Sequence, residues 1–365
     1  MNQDIRFCTT SDNVKLAYAV SGEGPPLLMP ATWLSHLEHQ WDSLAWRPWL
    51  ETLSQKYTLL RYDSRGCGLS DRAPADLSFE GWIKDIEAVA DAAGFKQFDI
   101  VAICWGGPIG VEYAARHPER VSRLVLYGAY ALGRLRGERP LDAEQARVLL
   151  DMVRLGWGQK NHALSQVWGN YFQPGGTLEH LRSWAEQQAF STSAETAVRL
   201  LQIGWQTDVR SSARKIKCPT LALHVARDTA VPIEDGRKLA TFIPDCRFVQ
   251  IDGENHMPLA DEPAWPQVVA EIDAFLKQPI EAGATRHSLP LDDLTGRERD
   301  VLEAIAQGLD NGEIAAALGM SEKTVRNHIT RVLDKIGAEH RYQAIVRARE
   351  AGLGALGANK VASAP

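Results

Sequence analysis

The stretch "VAICWGGPIG" at residues 101–110 places a cysteine between an apolar run and two glycines. The residues before it, Phe98–Ile103, are mostly apolar and have the length of a buried strand, and residues 111–121 after it have a helical pattern. A strand that turns sharply into a helix through a small residue, a nucleophile and a glycine presents the nucleophile at the tip of the turn. The stretch therefore predicts a strand-turn-helix unit with Cys104 as a candidate nucleophile.

Segments of strand length alternate with helical patterns on both sides of this turn. Because strands joined through helices form a mostly parallel sheet covered on both faces, the pattern predicts an α/β fold. Two alternating segments, Asp4–Thr9 and Val14–Val20, predict a hairpin. Residues 133–216 are too many for a simple crossover and carry four tryptophans among helical patterns, so they predict a helical cap above the sheet. The other predicted strands are residues 25–31, 57–63, 123–128, 219–225 and 247–252.

An acid and a histidine follow Cys104 at later strand ends. Asp228 comes after the strand at 219–225, and His256 comes after the strand at 247–252. The chain order nucleophile, acid, histidine distinguishes one type of catalytic triad from the others. In a triad the histidine takes the proton of the nucleophile, while the carboxylate fixes the histidine tautomer. Since a thiol beside a histidine ionises more readily, the three residues predict a Cys104–His256–Asp228 triad.

A further motif, "RYDSRGCGLSDR" at residues 61–72, resembles the D-x-R-G-x-G-x-S stretch that follows a central strand in many α/β-hydrolases. Together with the turn at Cys104 and "HPERVSRLVLYG" at 117–128, it makes most of residues 10–277 similar to the α/β-hydrolase superfamily. The resemblance implies an α/β-hydrolase fold, a mostly parallel sheet with a helical cap, for residues 1–277.

Three positions depart from the usual pattern of that superfamily. Ala102 replaces the first glycine of the turn and is still small. Cys104 stands where serine is usual, a substitution that dienelactone hydrolases also use. Residues 30–31, Pro-Ala, replace the usual His-Gly after the third strand. The resemblance then implies an oxyanion hole made by the backbone N–H groups of Thr32 and Trp105.

The cysteine and the tryptophans also have interpretations that involve no catalysis. A lone buried cysteine is usually a small hydrophobic residue, and Cys104 becomes a triad candidate only in register with Asp228 and His256. Whether such a triad turns over is open from the sequence. Most of the eleven tryptophans are expected in the core. Some are expected to line an apolar pocket above Cys104, suited to an aromatic or acyl-chain ligand.

Length, net charge and cysteine content limit the kinds of protein that the chain can be. The 365 residues exceed the ~250–300 at which single cores stop growing, so two domains are expected. The net charge of −6 gives no global attraction for nucleic acid, and any DNA contact needs a local basic surface. The five cysteines form no CxxC pair, and neither a metal nor a cofactor is expected. We expect a cytoplasmic protein without membrane association, because no signal-peptide pattern or membrane-length apolar run is seen.

A second unit follows residue 277. Residues 278–290 mix Pro, Gly, Ala and charge without periodicity, which predicts a linker. Residues 354–365 predict a disordered tail. Between them, residues 291–353 are almost wholly helical in pattern, which predicts a small all-α domain.

Capping signals divide this domain into helices. Thr295 and Glu298 have the spacing of a capping box at the start of a first helix. Asp310 and Glu313 have the same spacing at the start of a second helix, and Ser321 can cap a third. Helices two and three are joined by a short turn containing glycine, which predicts a helix-turn-helix.

The third of these helices carries its polar chemistry on one face. Lys and Arg side chains neutralise phosphates, and Arg and Asn can read guanine and adenine edges in the major groove. Residues 289–353 hold nine Lys/Arg against eleven Asp/Glu, so positive charge is focused on this helix. A plain helical bundle accounts for the apolar pattern but not for this face. The outward residues are Lys323, Arg326, Asn327, Thr330 and Arg331.

Residues 294–308, 313–338 and Arg341 are similar, almost position for position, to the LuxR-type helix-turn-helix. The resemblance implies double-stranded promoter DNA as the partner. It also implies a homodimer paired through the last helix, Arg341–Ala351. The residues implied to face bases are Arg326, Asn327 and Thr330, and those implied to lie near phosphates are Lys323, Thr324, Arg331 and Lys335.

Three functional hypotheses follow. The leading one is a transcription regulator whose α/β-hydrolase-like domain (1–277) senses a small apolar acyl or aromatic metabolite and whose LuxR-type domain (291–353) binds DNA. The second is a cysteine-dependent hydrolase of an ester, thioester or lactone, with regulation coupled to turnover. The third is a structural interaction domain with a vestigial pocket.

Overall fold

A computed structural model describes residues 3–137, 141–158, 163–278, 293–338, 341–351 and 353–354. The predicted linker from residue 279 onward and the predicted tail from residue 355 onward lie outside these residues. Within them, the sheet and its helices occupy the chain up to residue 278, and a separate cluster of helices begins at residue 293.

The sheet has eight strands in the order β1-β2-β4-β3-β5-β6-β7-β8. β1 pairs with β2 and β2 with β4 in antiparallel fashion, and all other neighbours are parallel. The predicted hairpin and the predicted, mostly parallel sheet are thus confirmed. The strands are β1 (Asp4–Thr9), β2 (Lys15–Ser21), β3 (Pro26–Leu28), β4 (Thr58–Tyr62), β5 (Phe98–Ile103), β6 (Val121–Tyr127), β7 (Thr220–Val225) and β8 (Cys246–Ile251).

Helices cover both faces of the sheet, and a group of them between β6 and β7 forms the helical cap. Before β6 the helices are α1 (Leu37–Asp42), α2 (Arg47–Ser54), α3 (Phe79–Ala92) and α4 (Gly106–Arg116). Between β6 and β7 they are α5 (Ala143–Gly156), α6 (Ala163–Phe172), α7 (Leu178–Ser191), α8 (Ala194–Trp205) and α9 (Arg210–Ala213). After β7 come α10 (Ile233–Phe242) and α11 (Ala264–Lys277).

Each face of the sheet packs into its own hydrophobic core. In β5, Ile100 and Ala102 belong to one core, while Val101 and Ile103 belong to the other. Because neighbouring side chains of a strand point to opposite faces, a strand covered on both sides has to be apolar throughout. Fully burying one such aliphatic side chain contributes about 1.5–3 kcal/mol to the free energy of unfolding. The central strands therefore hold the residues at their ends in fixed positions.

The motif at residues 61–72 fixes the turn after β4. Arg65 is fully buried and pairs with Asp85, also fully buried, at 2.8 Å and with Asp12 at 2.8 Å. Asp63 accepts hydrogen bonds from the backbone N–H groups of Leu37 (3.2 Å) and Leu69 (2.8 Å). These contacts tie the loop after β4 to α1 and α3, so the motif supports the fold around the sheet.

The C-terminal helices form a third core. Capping boxes are present at Thr295–Glu298 and Asp310–Glu313, and the side chain of Ser321 accepts from the N–H of Thr324, as predicted. The connection between the second and third helices turns at Gly319, whose φ is 64°. These helices are α12 (Gly296–Ala306), α13 (Asn311–Leu318), α14 (Glu322–Lys335) and α15 (Arg341–Glu350).

A membrane-spanning helix would need a long, uncharged apolar stretch. Among the residues that the structure describes, no helix has the length and apolar character to cross a membrane.

Candidate active site and DNA-binding surface

Cys104 lies at the tip of the turn from β5 into α4. Its φ is 49°, a left-handed value that residues other than glycine rarely adopt and that costs about 1–3 kcal/mol. Its N–H donates to the carbonyl of Tyr127 at 2.8 Å, and its own carbonyl accepts from the N–H of Gly107 at 2.9 Å. A Cβ on Gly107 would lie 2.4 Å from the Cβ of Ala129, so only glycine fits there. These contacts hold the cysteine in the predicted strand-turn-helix geometry.

Asp228 and His256 form a buried pair beside this turn. Asp228 Oδ2 lies 2.6 Å from His256 Nδ1, and both side chains are 1% exposed. The other oxygen of Asp228 accepts from the N–H groups of Ala230 and Val231, each at 2.9 Å, which fixes the loop after β7. Burial is the largest single effect on the pKa of each group and opposes its charge, but the attractions of the neighbouring groups together outweigh it, His256 and His224 for Asp228, and Asp228 and Cys104 for His256. The pKa of Asp228 therefore lies well below its ordinary value, and the pKa of His256 lies well above.

The free edge of His256 faces the cysteine side of the site. Its Nε2 is buried and has no hydrogen-bond partner among the described residues. Cys104 and His256 border the same cavity, and burial lowers the pKa of His256, but the interactions with Asp228 and with Cys104 raise it well above its ordinary value. The structure thus brings together the three residues of the predicted triad. A proton on Cys104 would have His256 Nε2 as its acceptor.

His224, in β7, is a second histidine at this site that the sequence analysis missed. Its Nε2 lies 2.8 Å from the carbonyl of Val231 and 3.4 Å from Asp228 Oδ2, and it is 1% exposed. Asp228 is therefore held between two histidines. The sequence does show a lone histidine in an otherwise apolar strand, four residues before the acid. The face of the sheet to which its side chain points depends on the register of the strand, which the sequence does not show.

Two adjoining cavities meet at Cys104. We name the first, of about 40 Å³, the glutamine cavity for Gln187 and Gln188 in its wall. We name the second, of about 240 Å³, the arginine cavity for Arg134. Aromatic, mostly apolar walls with a few polar groups are typical of small-molecule sites. The residues shared by both walls are Trp33, Cys104, Trp105 and Phe172.

The residues predicted for an oxyanion hole border the same space. Thr32 and Trp105 both line the glutamine cavity, and Trp105 stands between Cys104 and the first turn of α4. The apolar, tryptophan-rich pocket predicted above Cys104 is present. The tryptophans in the walls of the two cavities are Trp33, Trp46, Trp105, Trp168, Trp184 and Trp205.

Charged groups line the arginine cavity, and no motif in the sequence pointed to them. The guanidinium of Arg134 donates to the hydroxyl of Tyr171 and lies 5.2 Å from the centre of its ring. Glu234 and Asp235, at the start of α10, line the same cavity. Burial raises the pKa of Asp235. This cavity therefore offers a cation and two carboxyl groups to a ligand, in contrast to the glutamine cavity.

The side chains predicted to contact DNA lie on one face of α14. The opposite face buries Val325, Ile329 and Val332 in the core of the C-terminal helices. This division confirms the predicted amphipathic character of the helix and leaves its basic side chains free of the core. The exposed side chains are Lys323, Thr324, Arg326, Asn327, Thr330, Arg331 and Lys335.

Lys335 differs from the rest of this face. Its ammonium lies 2.6 Å from Glu298 Oε2 and donates to the carbonyl of Asp293 at 3.0 Å. The pair ties the end of α14 to the start of α12. The phosphate contact predicted for Lys335 would compete with Glu298 and stays a prediction.

The sheet, the strained turn at Cys104 and the acid and histidine after β7 and β8 define a domain of the α/β-hydrolase type, and α12 to α15 define a helix-turn-helix domain. The chain belongs to the alpha/beta hydrolase fold family, whose profile matches residues 25–263. Residues 292–348 match the luxR family of bacterial regulatory proteins. The protein is therefore a LuxR-type DNA-binding regulator with an α/β-hydrolase domain.

Known proteins resemble the hydrolase-type domain at low identity. The 2-hydroxymuconate semialdehyde hydrolase of Pseudomonas sp. (strain CF600) is 28% identical over 209 residues, 54% of this chain and 69% of the relative. The AB hydrolase superfamily protein YisY of Bacillus subtilis (strain 168) is 24% identical over 266 residues, 70% of this chain and 94% of the relative. The enol-lactonase from Burkholderia xenovorans LB400 superposes with a TM-score of 0.60 at 22% identity, over 75% of this chain and 100% of its own. That last likeness supports the fold alone.

Proposed function

We propose that this protein is a one-component transcription regulator. Its α/β-hydrolase domain binds a small apolar ligand and thereby changes how the LuxR-type domain binds promoter DNA. It acts in the cytoplasm, where the promoter is, as a homodimer paired through α15. One observation carries the proposal: α10, whose start borders the arginine cavity, is also the helix that contacts the DNA-binding domain.

The start of α10 belongs to the ligand side. Pro232, Glu234 and Asp235 line the arginine cavity. The loop just before them carries Asp228, which is fixed between His224 and His256. A ligand in the arginine cavity therefore touches the first turn of α10 and lies beside Ala230 and Val231, in the loop that carries the acid of the candidate triad.

The end of α10 belongs to the DNA side. The guanidinium of Arg349, in α15, donates to the carbonyls of Ala240 (3.3 Å), Thr241 (2.6 Å) and Ile243. The last carbonyls of a helix have no partner within it, and a cation there also complements the helix dipole. Arg349 donates further to the carbonyl of Ala306 in α12 at 2.6 Å, so one side chain clamps three helices of two domains.

Two contacts beside Arg349 fix the spacing of the domains. Arg214, after α9, pairs with Glu313 at 2.9 Å and lies 5.2 Å from the ring centre of Phe242. Gly308, after α12, packs so closely on α10 that a Cβ there would lie 2.4 Å from the carbonyl oxygen of Thr241. Movement of the start of α10, at the cavity, would therefore change the positions of α12, α13 and α15.

The size of the coupling follows from linkage. A ligand shifts the protein between two arrangements only when it binds them with different affinity. Couplings between distinct sites are typically about 1–3 kcal/mol, which is roughly a 5- to 150-fold change in DNA affinity. Contacts of this kind, a half-buried guanidinium and one ion pair, are of the right order to be made or broken by a small ligand.

The test uses the full-length chain. Duplexes are selected from a random pool and footprinted with and without a panel of amides and p-nitrophenyl esters of alkanoic and phenylalkanoic acids. We expect a protected site whose affinity changes about fivefold or more with at least one compound. Arg349→Ala removes that response, whereas Arg297→Ala, 64% exposed on α12, keeps it. No specific footprint with or without any compound contradicts the proposal.

The position of Cys104 supports a second candidate function, cysteine-dependent hydrolysis of an ester, thioester or lactone. Once its proton has passed to His256 Nε2, the Cys104 sulfur attacks the carbonyl carbon, and the N–H groups of Thr32 and Trp105 stabilise the oxyanion. The carbon–sulfur bond forms, the bond to the leaving group breaks, and His256 returns the proton to the leaving atom. Water then gives one proton to His256 and its hydroxide to the acyl carbon. The carbon–sulfur bond breaks, His256 returns the proton to the Cys104 sulfur, and the acid leaves.

Mass spectrometry separates this candidate from simple binding. The chain is incubated with p-nitrophenyl butanoate, and its intact mass and the release of p-nitrophenolate are followed. Hydrolysis predicts an acyl adduct on Cys104 that forms and decays, and its absence in Cys104→Ala. A Cys104→Ser variant tests whether an oxygen nucleophile serves. No adduct and no product across a panel of acyl groups refutes hydrolysis and leaves the regulator proposal intact.

A further inference from the structure

Buried polar atoms without partners stand in the wall of the glutamine cavity. Gln188 is 2% exposed, and neither its Oε1 nor its Nε2 has a hydrogen-bond partner among the described residues. The same holds for Oε1 of Gln187, which is 6% exposed. The indole Nε1 atoms of Trp46 and Trp184, in the same wall, are also buried and unpartnered among the described residues.

Such atoms are rare in folded proteins because each gives up its hydrogen bonds to water. A ligand that supplies both a donor and an acceptor at this place would satisfy the amide. The wall therefore favours a ligand with a hydrogen-bonding group over a purely apolar one.

The body of the ligand has to be apolar. Phe172 connects the amide-bearing helix α7 to the candidate triad, because its ring stacks on Trp184 at 5.1 Å and meets the ring of His256 at 5.5 Å. Leu34 and Met257 add aliphatic surface to the same wall. These side chains offer apolar contacts to an acyl chain or an aromatic ring that extends toward Cys104, where the glutamine cavity meets the larger arginine cavity.

The hydrogen-bonding group has to be neutral. Cys104 and His256 are the titratable residues among those that line the glutamine cavity, and both belong to the candidate triad. The charge of His256 in this wall is already paired with Asp228, so a carboxylate or ammonium held against the glutamines would lose its hydration without an unpaired opposing charge. The arginine cavity, with Arg134 and Asp235, suits charged groups instead.

We propose that the glutamine cavity is a recognition subsite for an acyl or aryl group that ends in a neutral group able to donate and accept hydrogen bonds, a carboxamide or a hydroxyl. The inference rests on the proposed ligand binding and adds the chemical class of the ligand. Gln188 and Gln187 select the polar end, and the aromatic wall holds the body beside Cys104.

Three probes of one shape test the subsite on the full-length chain: 4-phenylbutanamide, its apolar isostere (4-methylpentyl)benzene, and 4-phenylbutanoate. Binding is followed by tryptophan fluorescence, since tryptophans line the cavity. We expect the amide to bind about tenfold or more tightly than either of the other two. Gln188→Leu reduces the preference for the amide over the isostere to about onefold, and Gln202→Leu, exposed on α8 of the cap, keeps it.

Melting temperatures of the variants separate recognition from structural support. Because leucine leaves no unpaired amide, Gln188→Leu without probe is expected to melt at or above the wild-type temperature. A lower melting temperature, or equal binding of amide and isostere by wild type, overturns the subsite while ligand binding itself stands. Failure of all three probes to bind overturns the subsite, and the footprinting panel then decides the regulator proposal separately.

Discussion

Replacement of Asp228 by asparagine separates two roles of this residue: its negative charge beside His256 and its hydrogen bonds to the loop after β7. Asparagine keeps an oxygen for the N–H groups of Ala230 and Val231, which Asp228 Oδ1 accepts at 2.9 Å each, so the loop after β7 is retained. It removes the charge 2.6 Å from His256 Nδ1, in a pair whose side chains are 1% exposed. Asparagine in place of the acid of a serine triad leaves the histidine in the wrong tautomer and lowers the rate about 10⁴-fold, and a thiol, which ionises more readily than a hydroxyl, depends less on the acid. Acylation of Cys104 is expected to slow roughly 10²- to 10⁴-fold.

The assay is the single-turnover release of p-nitrophenolate from p-nitrophenyl butanoate, with intact mass to confirm the adduct on Cys104. Asp252→Asn, at a carboxylate that is 80% exposed just after β8, is the matched control and is expected to acylate at the wild-type rate. Circular dichroism checks that both variants are folded. An Asp228→Asn variant that acylates within about threefold of wild type refutes the assignment of Asp228 as the acid that orients His256.

Asp228 and Cys104 raise the pKa of His256 in the folded protein well above 6.5, against the effect of burial. The positive charge of His256 therefore stabilises the fold fully below pH 6.5, and this stabilisation is lost as the pH rises through the pKa of His256 in the folded protein. The difference in melting temperature between wild type and Asp228→Asn is therefore larger near pH 6 than near pH 9, and an equal difference contradicts the raised pKa. Gly128→Ala places a Cβ 2.5 Å from His256 Cε1 at a φ of 56°, which is expected to slow acylation roughly 10²-fold; an unchanged rate contradicts the tight packing. Arg326→Ala is expected to weaken binding to the selected duplex roughly 10- to 100-fold with an unchanged melting temperature, whereas Arg297→Ala keeps the affinity; equal affinity of both variants removes Arg326 from the DNA contact.

The parts that the sequence predicts well are those fixed by local chemistry and chain order. The turn at Cys104 can be predicted because a buried strand, a small residue and glycines follow one another in the sequence. The structure has the positive φ at Cys104 that this pattern requires. Asp228 and His256 each follow a strand, and parallel strands end at the same edge of a sheet, so their meeting follows from topology. The caps at Thr295 and Ser321 involve residues only three apart and were equally predictable.

The parts that escaped prediction depend on packing between distant segments. Gln187 and Gln188 look like ordinary polar residues of a helix, and only the placement of α7 over Cys104 turns them into a cavity wall. Arg349 looks like one of many arginines on a DNA-binding domain. Its role at the end of α10 arises from contacts more than a hundred residues apart, for which no periodicity or spacing exists.

The most direct test of the regulator account is reciprocity between ligand and DNA. The affinity of the full-length chain for 4-phenylbutanamide is measured by tryptophan fluorescence, with and without a saturating amount of the selected duplex. Because coupling free energy is shared, the account predicts that the duplex changes the ligand affinity by the same factor as the ligand changes the duplex affinity, about fivefold or more. Ligand affinity that is identical with and without the duplex contradicts the account.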